Sequence, residues 1–175
     1  RQPSPGFSVL LSDRGRGKSS ALGLALREIA DESKRAIAVT AAQEDSLAEV
    51  FRFAVSESAA SEIRYVEPVE LAHTEDPFEI IVVDEAAQLS VSLLQTIVTR
   101  HPDARIAFAS TARGYEGTGR GFTLRFIDWL KRRGRPVLEL ELTHPIRWAP
   151  DDPLEAVIYD GLLLDAEAAP APSNI

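Results

Sequence analysis

The sequence predicts an α/β domain of three layers, with a mainly parallel central sheet and helices on both faces. Three observations carry that prediction. Short apolar runs alternate with helix-periodic segments along nearly the whole chain. One run, Ile80-Ile81-Val82-Val83, has no polar interruption, as expected of a strand covered on both faces. The first run ends in a glycine-punctuated turn, Asp13-Arg14-Gly15-Arg16-Gly17-Lys18-Ser19, after which a helical pattern begins. Repeated β-α units of this kind build parallel sheets, because each helical crossover returns the chain to the same sheet end.

Taken in order, residues 8–12 read as a buried strand. Residues 18–31 read as a helix with Leu22, Ala25, Leu26 and Ile29 on one face. A second strand is expected at 35–41 and a second helix at 45–58, with Leu47, Val50, Phe51 and Ala54 inward. A short strand at 63–66 precedes the apolar strand at 79–84. A helix at 90–100, a strand at 105–110, a helix at 122–133 stopped by Gly134, and a strand at 137–142 follow. A last helix is expected at 153–164. The alanine- and proline-rich residues 166–175 read as a linker or tail, which makes 1–165 the folded domain.

Composition bounds the function classes. The 175 residues suit one domain with one sizeable core, and 45% hydrophobic with 26% charged content is ordinary for a globular protein. No run approaches the roughly 18 apolar residues of a membrane helix, so no membrane partner is expected. The chain begins at Arg1, which reads as a fragment or a processed form. Cysteine is absent, which removes disulfides and thiol chemistry and is compatible with a cytoplasmic location. A formal net charge of -8 argues against nonspecific nucleic-acid binding by the whole surface, so any RNA contact needs a local basic patch.

The loop at 13–19 has the layout of a phosphate site. Backbone N–H groups of a glycine turn and a helix N-terminus converge on an anion, and Lys18 adds a full charge. The usual pattern has glycine where this chain has Ser12. In a parallel sheet, ligands sit at the carboxyl ends of strands. The apolar strand ends in Asp84-Glu85. There Asp84, with Ser19, would hold Mg²⁺, and Glu85 would orient and deprotonate an attacking water. Acidic residues at a helix N-terminus are the structural alternative. Ser110-Thr111 ends the next strand, either beside a γ-phosphate or as turn chemistry.

Four glycines between Gly114 and Gly121 suggest a mobile loop carrying Arg113 and Arg120 near the phosphates, or a plain connector. Lys131, Arg132, Arg133 and Arg135 either complement a helix dipole or form an RNA-facing patch. Arg147 either reaches the γ-phosphate as an arginine finger or makes a surface ion pair. His73, His101 and His144 lack metal-ligand spacing and read as surface or strand-end residues.

Together, Asp13-Arg14-Gly15-Arg16-Gly17-Lys18-Ser19, Val83-Asp84-Glu85-Ala86-Ala87, Gly114-Tyr115-Glu116-Gly117-Thr118-Gly119-Arg120-Gly121 and Pro145-Ile146-Arg147-Trp148 resemble one family. They look like the RecA-like helicase/ATPase module of the tRNA(Met) cytidine acetyltransferases, over residues 8–165. The resemblance implies a three-layer RecA-like P-loop NTPase that binds and hydrolyses ATP (or GTP) with Mg²⁺. It implies a larger enzyme that handles tRNA and makes N4-acetylcytidine at the wobble position. Acetyl-CoA would serve a separate acetyltransferase domain in cis, outside this chain. Ser12 also fits, since that family's loop is commonly preceded by a small non-glycine residue.

Carried onto this sequence, the catalytic set is Lys18, Asp84, Glu85 and Arg147, with Ser19 and Asp84 at the metal. Nucleotide contacts would come from Asp13, Arg14, Gly15, Arg16, Gly17, Lys18, Ser19 and Ser20, with Thr111, Gly119, Arg120 and Arg147. A stand-alone P-loop kinase of small molecules and a nucleotide-sensing scaffold without turnover are the competing classes.

Overall fold

The computed structural model describes residues 6–32, 35–55, 62–111 and 121–146, with 149, 152–154 and 157. Six strands form one sheet: β1 (Phe7–Ser12), β2 (Ala36–Thr40), β3 (Glu62–Tyr65), β4 (Ile80–Val83), β5 (Arg105–Thr111) and β6 (Val137–Leu142). Their order is β3-β2-β4-β5-β1-β6, and every neighbouring pair is parallel. β1 therefore lies between β5 and β6, and β5 lies between β1 and β4. All four residues of β4 are buried, in keeping with its uninterrupted apolar sequence.

Helices α1 (Lys18–Glu32) and α2 (Ala48–Ala54) cover one face. Their side chains Leu22, Leu26, Ala30, Val50 and Ala54, with Leu47 just before α2, pack on Leu10, Ile37, Val39 and Val82. Helices α3 (Pro68–His73) and α4 (Val91–Arg100) cover the other, together with a π-helical segment (Gly121–Ile127) that runs into α5 (Asp128–Lys131). That side is built on Val83, Ile106 and Phe108 against Leu71, Leu94, Ile97 and Phe126. Phe126 meets Phe108 edge-on at 4.9 Å and Phe122 at 5.4 Å between ring centroids, geometries that aromatic quadrupoles favour.

Several local expectations need correction. Ala25 is exposed; the inner stripe of α1 runs through Leu22, Gly23, Leu26 and Ala30, because Gly23 sits where α2 crosses. The helix expected at 45–58 begins as a 3₁₀ turn (Glu44–Leu47) and runs as an α-helix to Ala54, with Val55 extended; residues 56–58 lie outside the described residues. Helix α3 was not expected. Glu67 caps it, accepting from the N–H groups of Val69 and Glu70, and Pro68 opens its first turn. His101 is no surface residue: it is buried at the end of α4, with Nε2 2.8 Å from the Leu71 carbonyl. The expected helix at 153–164 lies largely outside the described residues, and the 166–175 tail wholly so.

Gly134 has a positive φ of 72°, as its role in ending the helical stretch requires. The basic residues around it are engaged within the fold. Lys131 pairs with Glu139 at 2.7 Å, Arg133 lies over Trp129, and Arg135 stacks on Phe7 and donates to the Ala104 carbonyl. Three of the four cluster residues thus have intramolecular partners.

Candidate functional site

The turn after β1 reverses the chain through two residues of positive φ, Gly15 at 73° and Gly17 at 82°. These conformations favour glycine, and this fixes the spacing of the turn. Ser12 needs no such freedom: it sits inside the last pair of the β1 ladder, opposite Thr111 and Leu142. Glycine at this position is therefore dispensable. Helix α1 starts directly from the turn, with Ala21 N–H donating to the Gly17 carbonyl at 2.9 Å.

The strand order brings the distant residues together. Because β5 lies between β1 and β4, Thr111 at its end stands between Lys18 and Glu85. Lys18 Nζ donates to Thr111 Oγ1 at 3.1 Å, and the same hydroxyl donates to Glu85 Oε2 at 3.3 Å. Lys18 Nζ and Glu85 Oε1 are 4.0 Å apart. Ser19 Oγ donates to Asp84 Oδ2 at 2.7 Å, and Glu85 N–H donates to Asp84 Oδ1 at 2.9 Å. Ser110, by strand alternation, turns to the opposite face and takes no part.

Glu85 is the one non-glycine residue of positive φ among the described residues, at 45°. A side chain in this region costs about 1–3 kcal/mol, which the surroundings must offset. The bond to Asp84 and the Gln88 N–H bond to the Glu85 carbonyl at 2.9 Å hold it there. The effect is to return the Glu85 carboxylate to Lys18 and Thr111.

Electrostatics follow from burial. Asp84 is fully buried, and desolvation raises its pKa above the usual carboxylate range; the Ser19 hydroxyl, the Glu85 amide and Lys18 oppose this only in part. Burial likewise lowers the Lys18 pKa, opposed by Glu85, Asp84 and Asp13. Lys18 lines an open cavity together with Gly15 and Gly17 of the turn, and an ammonium beside the N–H groups of such a turn is suited to binding an anion.

That cavity has a volume of about 440 Å³. Arg14, Gly15, Gly17, Lys18, Ser19, Ser20 and Glu85 line it, joined by Glu49 of α2 and by Ile146. Asp13, Arg16 and Thr111, expected as nucleotide contacts, are outside this lining, as is Asp84. Gly119, Arg120 and Arg147 lie outside the described residues, as does Arg113. Glu49 carries no motif signal and reaches the cavity through tertiary placement alone; Ile146 belongs to the Pro145-Ile146-Arg147-Trp148 segment, where only Arg147 has an expected role. A second cavity of about 490 Å³, at the opposite end of the sheet, is lined by Arg35, Glu79, Arg100 and Glu75 among others. These pair with one another, Arg35 with Glu79 and Arg100 with Glu75, in surface ion pairs.

A parallel sheet flanked by helices, a glycine turn feeding a helix at a strand end, and a lysine-hydroxyl-carboxylate cluster define a RecA-like P-loop NTPase domain. Solved structures share the fold. The large terminase of a thermophilic bacteriophage superposes with a TM-score of 0.62 at 12% identity, covering 90% of this chain and 46% of that one. The same terminase in complex with ATP-gamma-S gives 0.59 at 12% identity, over 80% and 40%. An Arterivirus nonstructural protein 10 (helicase) in complex with DNA gives 0.54 at 15% identity, over 96% and 43%.

Residues 9–165 match the model of the RNA cytidine acetyltransferase NAT10/TcmA helicase domain, and the chain belongs to that family. It is 42% identical over 174 residues to the tRNA(Met) cytidine acetyltransferase TmcA of Nitrosococcus halophilus, covering 93% of this chain and 23% of that protein. The Haloferax volcanii TmcA is 41% identical over 182 residues, covering 93% and 24%. The chain thus spans about a quarter of the length of these relatives.

Proposed function

We propose that this chain binds and hydrolyses ATP as the motor module of a larger RNA cytidine acetyltransferase, coupling hydrolysis to the handling of tRNA in the cytoplasm. The carrying observation is the convergence of Lys18, Thr111 and Glu85 beside the Ser19–Asp84 pair, at one end of a cavity walled by the glycine turn. The reading takes residues 1–165 as the nucleotide-binding unit and 166–175 as a connection toward an acetyltransferase domain that would use acetyl-CoA.

In this reading the turn's N–H groups and Lys18 hold the β- and γ-phosphates. Glu85 accepts a proton from a water that attacks the γ-phosphorus, the bond to the β-γ bridging oxygen breaks, and ADP and phosphate leave. Thr111, which both accepts from Lys18 and donates to Glu85, positions the two charged groups relative to each other. Ser19 Oγ and the buried Asp84 carboxylate are hard oxygen donors 2.7 Å from each other, a pair suited to Mg²⁺. Mg²⁺ there would neutralise charge developing on the phosphates. Arg147 is retained from the family pattern as the candidate arginine finger. A carboxylate beside the lysine and the phosphate loop suits water activation, and so favours hydrolysis over transfer to a small-molecule acceptor.

The test is phosphate release from the full-length protein with and without tRNA. The wild type should release phosphate faster with tRNA. Glu85→Gln should bind ATP with unchanged affinity and release almost none. Equal release by the variant would remove Glu85 from catalysis. Absence of any tRNA stimulation would count against coupling.

A further inference from the structure

Ile146 is an apolar side chain at a polar site. It follows β6 by four positions, is 64% exposed, and lines the phosphate-loop cavity. Two contacts fix it there. Its N–H donates to the Gly15 carbonyl at 3.1 Å, and its Cδ1 would stand 2.7 Å from a Cβ placed on Gly17. The second contact shows that Gly17 is glycine for two reasons, its φ of 82° and the space Ile146 occupies.

Lys18, Thr111 and Glu85 meet on the β5 and β4 side of β1, and β6 lies on its other side, so Ile146 approaches the glycine turn from the side away from Glu85. A side chain with no donor cannot help a phosphate, and exposing it to water is unfavourable. A nucleoside has apolar faces on its base and ribose.

We propose that Ile146 is the nucleoside-contacting residue of this site, the apolar surface on which the base or ribose face of a bound nucleoside triphosphate packs. The proposal rests on the nucleotide-binding function proposed above and adds a role to a residue outside the phosphate and metal machinery. It also makes the contact permissive for different bases, since an aliphatic surface reads shape and not hydrogen-bond pattern.

The experiment compares two Mg²⁺-complexed ligands, ATP and inorganic tripolyphosphate, in calorimetric titrations of wild type, Ile146→Ala, Ile146→Leu and Lys18→Ala. Ile146→Ala should weaken ATP roughly fivefold, the effect of about half an aliphatic side chain's burial. It should leave tripolyphosphate unchanged, and Ile146→Leu should retain wild-type affinity for both. Equal weakening of both ligands would show that Ile146 props the loop and would overturn the proposal. So would an unchanged ATP affinity in Ile146→Ala. Lys18→Ala separates the two readings: if it binds both ligands as the wild type does, the phosphate-site reading itself fails.

Discussion

Lys18 and Thr111, 93 positions apart in sequence, meet at 3.1 Å in the interior of the site. The contact exists because β5 is laid down between β1 and β4, and it ties the phosphate loop to the strand next to Glu85. Replacing the threonine should therefore affect catalysis more than binding. Thr111→Ala leaves the loop, Lys18 and the glycine turn in place. In the full-length protein it should lower the rate of phosphate release about tenfold or more, the scale of one hydrogen bond to a charged group. ATP affinity should change by no more than a few-fold. A loss of affinity with an unchanged rate would assign Thr111 to the loop's ground-state geometry.

Helix α1 crosses α2 at Gly23, and the approach is close enough to reverse an ordinary helix preference. Alanine usually stabilises a helix interior over glycine by about 1 kcal/mol. Here an added Cβ would collide with the Val50 carbonyl oxygen and stand 2.7 Å from the Phe53 Cβ, both backbone-fixed. Gly23→Ala should destabilise the chain by about 1–3 kcal/mol through this overpacking. Urea unfolding measures it; an equal or raised midpoint would show that the two helices separate without penalty.

The buried Asp84 predicts a pH dependence of known sign. Its folded pKa is raised by desolvation above the ordinary carboxylate value of 3.8. Between 3.8 and that raised value the folded chain holds more protons than the unfolded chain, so this group's contribution to stability falls as pH rises through the window. At neutral pH the cost remains in full. Asp84→Asn, which cannot ionise, should be more stable than the wild type at about pH 7 without Mg²⁺. The difference should shrink as pH falls toward the ordinary carboxylate range. Paired urea titrations across that range check it, and a difference independent of pH would place the effect elsewhere.

The loop and the Asp84-Glu85 strand end were legible in the sequence because both obey local rules. Glycines at 15 and 17 mark positive φ, and an unbroken apolar run marks a strand buried on both faces. What stayed hidden depends on tertiary placement. The position of β5 between β1 and β4, and hence the Lys18-Thr111-Glu85 contact, has no local signature. Ile146 falls in the Pro145-Ile146-Arg147-Trp148 segment, but its place at the site comes from folding back onto Gly15 and Gly17, which no local rule marks. Helix α3 is only six residues long, and its signals are compressed into two adjacent residues, Glu67 and Pro68. The basic cluster at 131–135 reads two ways in sequence, as a complement to a helix dipole or as an RNA-facing patch, and Glu139, Trp129 and Phe7 supply partners for three of its four members.

If Lys18 and the glycine turn form the phosphate site, titration of Mg²⁺–ATP into the wild-type chain and into Lys18→Ala will separate the two proteins. Charge-assisted contacts are worth about 1.5–3 kcal/mol each, so the variant should bind roughly 10- to 150-fold more weakly. An affinity equal to that of the wild type would show that phosphate binds elsewhere or not at all.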